Sequence, residues 1–115
     1  MPITTVLAVV NVSDIGRAAA WYERVFGRPP DLTPMGSLAE WQITDSGWLQ
    51  VYEDAGKAGS SYLTLGVDDL DEQLAALATR GVEAEEIPAD APMRLAQVKD
   101  PDGNVITFGI KLKGH

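Results

Sequence analysis

Apolar residues first recur at every second position. Val6, Ala8, Val10 and Val12 make one wholly apolar face, and Thr5, Leu7, Val9 and Asn11 make a mixed one, so residues 3–12 read as a strand. The period then changes. Ser13 or Asp14 can cap a helix whose buried stripe is Ile15, Ala18, Ala19, Tyr22 and Phe26, ended by Gly27 and Pro29-Pro30. Trp21 and Tyr22, adjacent aromatics on that helix, read as core. Residues 31–38 read as loop with a short strand. Residues 39–44 and 48–53 then read as a hairpin around Asp45-Ser46-Gly47. A three-residue turn pairing Thr44 with Trp48 puts Glu40, Gln42, Thr44, Trp48, Gln50 and Tyr52 on one face. Trp41, Ile43, Leu49 and Val51 then take the buried face. A two-residue turn would turn Trp41 to the mixed face instead.

After a small-residue linker, 55–60, the pattern starts again. Leu63, Leu65 and Val67 oppose Tyr62, Thr64 and Gly66 on a strand. Asp68 or Asp69 caps a helix with the stripe Leu70, Leu74, Leu77, and Gly81 stops it. Strands follow over 83–87, 94–99 and 104–110. The last two form a hairpin through Asp100-Pro101-Asp102-Gly103-Asn104, with Ile106, Phe108 and Ile110 on its apolar face and Thr107 central to its mixed face. Val12-Ser13-Asp14-Ile15 and Val67-Asp68-Asp69-Leu70 match at an offset of 55, and the same offset takes Leu7 to Tyr62. The chain is therefore expected to be α+β: two tandem βαβββ modules related by a pseudo-two-fold, helices outside, mixed faces curled into one cup. It forms a single domain over 1–115, module one spanning about 1–57 and module two about 58–115.

Charge and composition narrow the chemistry. A net charge of -8 opposes nucleic-acid binding. The chain lacks cysteine, which removes disulfides and thiolate catalysis, and it has one histidine, His115, at its end. No apolar run reaches membrane-spanning length and no basic-then-apolar leader opens the chain, so a cytoplasmic protein is expected, without membrane partners.

The repeat, with Val-Ser-Asp-Ile…Trp-Tyr-Glu-Arg-Val-Phe-Gly (12–27) and Asp-Pro-Asp-Gly-Asn-Val-Ile-Thr-Phe (100–108), resembles the vicinal oxygen chelate superfamily of glyoxalase, bleomycin-resistance and extradiol-dioxygenase relatives. The resemblance covers nearly the whole chain and rests on scaffold elements. It implies four metal positions at the middle of the cup, which here hold Leu7, Gln50, Tyr62 and Thr107. Leucine has no lone pair, and the others are neutral oxygens without an imidazole or carboxylate beside them. No metal and no cofactor are therefore expected, and the chain is similar to the metal-free, drug-binding branch.

What remains is a cup lined by Leu7, Val9, Asn11, Gln42, Trp48, Gln50, Tyr52, Tyr62, Thr64 and Thr107. Apolar and aromatic walls with a few neutral hydrogen-bonding groups suit a small molecule. The leading expectation is a non-catalytic protein that sequesters a planar or cationic ligand, Trp48 and Tyr62 lining one cavity, and that works as a homodimer. One alternative is a metal-independent lyase or isomerase using a carboxylate such as Glu40, or next Glu53, although a lone glutamate on a strand is ordinarily a solvated edge residue. Another is a protein-interaction module whose mixed face is a dimer contact.

Overall fold

In the computed structural model, residues 2–90 and 93–110 are described; His115 and the side chain of Ile110 fall outside them. The order is β1 (Val6–Val12), α1 (Ile15–Phe26), β2 (Leu32–Met35), β3 (Leu38–Thr44), β4 (Gly47–Glu53), β5 (Tyr62–Val67), α2 (Leu70–Thr79), β6 (Glu85–Ile87), β7 (Leu95–Lys99) and β8 (Val105–Ile110). Two open four-stranded sheets result, ordered β1-β4-β3-β2 and β5-β8-β7-β6. In each, the opening strand runs parallel to the last one and the other pairs are antiparallel. The repeat extends to register. Leu7 faces Trp48 and Val9 faces Gln50, as Tyr62 faces Val105 and Thr64 faces Thr107.

Both helices start at an aspartate. Asp14 accepts from the amide of Arg17 at 3.1 Å and Asp69 from that of Glu72 at 3.0 Å, each satisfying a donor the first turn leaves free. Gly27 closes α1 in the left-handed conformation (φ 73°). The Arg80 guanidinium, just beyond α2, donates to the carbonyls of Arg24 and Val25 at the end of α1, where a cation also meets the negative helix end. That contact joins the two modules.

The alternating apolar residues meet the helices in one continuous core. Val10, Val12, Trp41, Leu49 and Val51 of the first sheet and Ala96, Val98, Ile106 and Phe108 of the second are buried with Ala18, Tyr22, Val25, Leu70 and Leu77. Trp41 packs against Tyr22 and Phe26, with ring centroids 6.2 and 5.6 Å away, and its indole N–H donates to the Arg28 carbonyl at 3.0 Å. One core thus joins the helix-facing sides of both sheets. β1 and β5 approach along the seam, where the Asn11 amide donates to Ser61 Oγ at 3.4 Å.

Three expectations need correction. The first strand begins at Val6 rather than residue 3, while the short strand expected within residues 31–38 is β2. At the β3–β4 turn Thr44 pairs with Gly47, not Trp48, across a two-residue connection. A register shift between Gln42 and Thr44 then pairs Gln42 with Trp48, so the irregularity restores the parity that a regular two-residue turn would have inverted. Trp41 accordingly lies in the core and Trp48 on the open face. Finally, Glu40 is not a solvated edge residue. It is 7% exposed on β3, between β4 and β2.

Strand parity has a direct mutational consequence. Ile106 is fully buried, and its side chain contributes roughly 1.5–3 kcal/mol by leaving water. Ile106→Asp adds an unpaired buried charge and should abolish folding, as read by circular dichroism. Thr107→Val loses only the bond that Thr107 Oγ1 accepts from Gln97 Nε2 at 3.2 Å and should cost less than about 1.5 kcal/mol. Equal effects would contradict the register.

A second consequence concerns alkaline pH. Burial, followed by the neighbouring Asp100, holds the Tyr22 phenol well above the ordinary tyrosine range. An unfolded tyrosine ionises near about pH 10, whereas the folded one keeps its proton. The Tyr22 contribution is thus complete below about pH 10 and is lost as pH rises further, at about 1.4 kcal/mol per pH unit. Denaturant titrations from neutral to alkaline pH should show this extra slope in the parent protein and its loss in Tyr22→Phe. An unchanged slope would contradict it.

Candidate functional site

The face of the first sheet turned away from the helices is a grid fixed by register. One row across the strands runs Val9, Gln50, Glu40, Leu32; the next runs Leu7, Trp48, Gln42; on the other side lie Asn11, Tyr52, Leu38, Met35. Leu7, Val9 and Tyr52 are substantially exposed and Trp48 is half-buried, so the rim is apolar and reachable. At the centre the Gln50 amide nitrogen donates to Glu40 Oε2. No donor among the described residues reaches Glu40 Oε1, which remains open to this face. Nor does any basic nitrogen among them lie within 4.0 Å of the carboxylate; the ion pairs present are Arg28–Asp31 and Arg94 with Asp71 and Glu86.

Those ion pairs hold the borders of the sheets. The Arg28 guanidinium, followed by the Gln42 amide, keeps the Asp31 carboxyl below the usual carboxylate range, and Arg28 also donates to the Gln42 carbonyl. The outer end of β3 is thereby clamped to the segment that follows α1. Arg94 likewise lowers both Asp71 and Glu86, linking α2 to β6.

The corresponding face of the second sheet carries Tyr62 and Thr64 on β5, Thr107 on β8 and Gln97 on β7. Gln97 stands opposite Thr107 as Glu40 stands opposite Gln50. The residues expected to line one cup therefore divide between sheets. Leu7, Val9, Asn11, Gln42, Trp48, Gln50 and Tyr52 share the first, and Tyr62, Thr64 and Thr107 share the second. A cavity of about 290 Å³ lies at the seam, lined by Val6, Ala8, Ile43, Thr44, Gly47, Trp48, Leu49, Leu63, Thr64, Leu65 and Gly66. It touches Trp48 and Thr64 but not Tyr62, which is 83% exposed.

Glu40 and its counterpart Gln97 were absent from the expected lining. Alternation had placed Glu40 on the same face as Gln42 and Gln50, and that was the available signal. Its burial depends on the neighbouring strand β2, which the sequence marked only faintly.

The family's metal positions do not form a ligand set here. Leu7 offers no donor atom, Gln50 offers only a neutral amide oxygen, and Thr107, which accepts from Gln97, stands with Tyr62 on the second sheet. Contrary to the expectation that no carboxylate stands beside these positions, Glu40 adjoins Gln50. A divalent transition ion nevertheless needs several imidazole, thiolate or carboxylate donors, and no cluster of three such groups occurs among the described residues. The set therefore does not fit one, and no chemistry is routed through a metal.

Comparison with known proteins agrees with this architecture. The fold matches a glyoxalase / bleomycin resistance protein from Catenulispora acidiphila DSM 44928 with a TM-score of 0.90 and 35% identity, over 96% of this chain and 100% of that one. TnmS3, an antibiotic binding protein from Streptomyces sp. CB03234, matches with a TM-score of 0.75 and 30% identity, over 97% and 99% of the two chains. A bleomycin-binding protein complexed with bleomycin shares the fold at 19% identity and a TM-score of 0.76, over 94% of this chain and 98% of that one. No curated protein sequence matches. The model of the Glyoxalase/Bleomycin resistance protein/Dioxygenase superfamily spans residues 4–108, both modules and the Asp100–Asn104 turn included, and the chain belongs to that superfamily.

Proposed function

We propose that this protein is a metal-independent small-molecule-binding member of its superfamily, one that sequesters a planar or cationic ligand on the open face rather than transforming it. The observation that carries this reading is the composition of that face. Leu7, Val9, Trp48 and Tyr52 provide reachable apolar and aromatic surface, while Gln42 and Gln50 provide amides able to fix a ligand's orientation. The donor set that glyoxalase or dioxygenase chemistry requires is replaced by leucine and neutral oxygens. The antibiotic-binding TnmS3, at 30% identity over nearly the whole chain, supports binding as the role.

The same face supports a homodimer. Leu7, Val9, Tyr52 and Tyr62 expose apolar surface on both sheets, and a ligand lying against a single open sheet would keep its outer side in water. A second copy laid over the face would enclose it, with Tyr62 of one sheet facing the ligand held by another.

Trp48 is the residue to test. Its indole contributes apolar area and a face attractive to cations, together worth about 0.5–2 kcal/mol when desolvated. Trp48→Ala should weaken binding of 9-aminoacridine, a planar aromatic base, by roughly 2- to 30-fold in calorimetric titration. It should leave the circular dichroism spectrum unchanged, because Trp41, not Trp48, is the buried indole. If Trp48→Ala unfolds the chain as Ile106→Asp does, the ring is core and the site is not there.

A further inference from the structure

We propose that Glu40 is the anchor of this face for a cationic nitrogen: an amine, an amidinium or a protonated ring nitrogen carried on an aromatic small molecule. The proposal rests on the reading of the face as a binding site and narrows the chemistry of what it binds. Its first support is an imbalance. Glu40 is 7% exposed on an interior strand, yet its carboxylate has one neutral donor, Gln50, and no basic partner among the described residues. Withdrawing a carboxylate from water is costly unless a counter-charge and further hydrogen bonds compensate. Oε1 has neither from the described residues and opens toward the face, so an incoming N–H⁺ group has a free acceptor there.

The second support is the internal repeat, which provides a control within the same molecule. At the equivalent register in the second sheet stands Gln97, whose amide bonds across the strands to Thr107. The scaffold thus closes that cross-strand bond with an uncharged pair. The repeated scaffold therefore does not by itself call for a carboxylate at this register.

The surroundings suit a cation. Gln50 holds Oε2 and so orients the carboxylate, Val9 covers one side of the row, and Trp48 in the next row offers an indole face to a charged ring. The net charge of -8 draws a base toward the protein and repels an anion.

The test compares 9-aminoacridine, a cation at neutral pH, with acridone, a neutral ring system of similar shape. Fluorescence titrations use the parent protein and Glu40→Gln, and thermal melts follow both without ligand. The parent should bind the cation at least about tenfold tighter than acridone. Glu40→Gln should erase that preference while leaving acridone affinity unchanged, and should melt close to the parent temperature, since an uncharged glutamine fills the equivalent register in the second sheet. A preference that survives Glu40→Gln would overturn the proposal, as would a melting temperature lowered by several degrees, which would make the carboxylate a structural group. Equal binding of both compounds, still sensitive to Trp48→Ala, would overturn the anchor but leave the binding face standing. Binding of neither compound would sink both.

Discussion

The molecule depends on one buried carboxylate. Asp100 opens the Asp-Pro-Asp-Gly-Asn turn and is 4% exposed, with no basic group among the described residues within ion-pair distance. Four donors neutralise it instead: the amides of Asp102 and Asn104 at 2.9 Å on Oδ1, and the Tyr22 hydroxyl at 2.8 Å and Asn104 Nδ2 at 2.7 Å on Oδ2. Asn104 passes the network on. Its Oδ1 accepts from the amides of Gly59 in the linker and Ser61 just after it, and its Nδ2 also donates to the Asn11 carbonyl at the end of β1. Ser13 bonds Asp102 through both its amide and its hydroxyl. The turn of module two therefore holds the first strand, the first helix and the linker of module one. Gly59 fits beneath it only without a side chain: φ is 95°, and a Cβ would lie 2.7 Å from the Asp102 carbonyl. Removing one hydrogen-bond partner of a buried group typically costs about 1–3 kcal/mol, and more when the group is charged, a large share of the stability of a domain this size.

That latch fixes how the two sheets meet, and their meeting decides what the open face can do. The scaffold repeats closely: aspartate caps, parallel opening strands, and a cross-strand polar pair at the centre of each sheet. The site residues do not repeat. Glu40 and Gln50 become Gln97 and Thr107, Trp48 becomes Val105, and Leu7 becomes Tyr62. Stability is supplied by what the modules share, and binding chemistry by what they do not. An apolar, aromatic and acidic face is concentrated in module one.

Local pattern made much of this legible. The apolar alternation of Val10-Val12, Leu49-Val51 and Ile106-Phe108 and the helical spacing of Ala18 and Tyr22 specify which sides are buried, because burial acts on side chains one at a time. Non-local facts were less visible. The irregularity near Thr44 alters pairing without altering composition, so the turn residues alone did not reveal it. Asp100 and Asn104 read as ordinary turn formers, although both are buried, since their satisfaction comes from Tyr22, Asn11 and the linker, up to 93 residues away. Glu40 looked like a solvated residue for the same reason: only the packing of strands around it excludes water. That Trp48 and Tyr62 do not share the seam cavity depends on how β1 and β5 meet, which neither strand's own sequence expresses.

The most direct test of a binding face on module one is to map contacts by two-dimensional amide NMR while titrating a mixture of planar aromatic bases and their neutral analogues. The largest shift changes should fall on Val9, Glu40, Trp48 and Gln50, which adjoin one another across β1, β4 and β3. Changes confined to Ile43, Leu63 and Leu65 at the seam, or no change at all, would contradict the account.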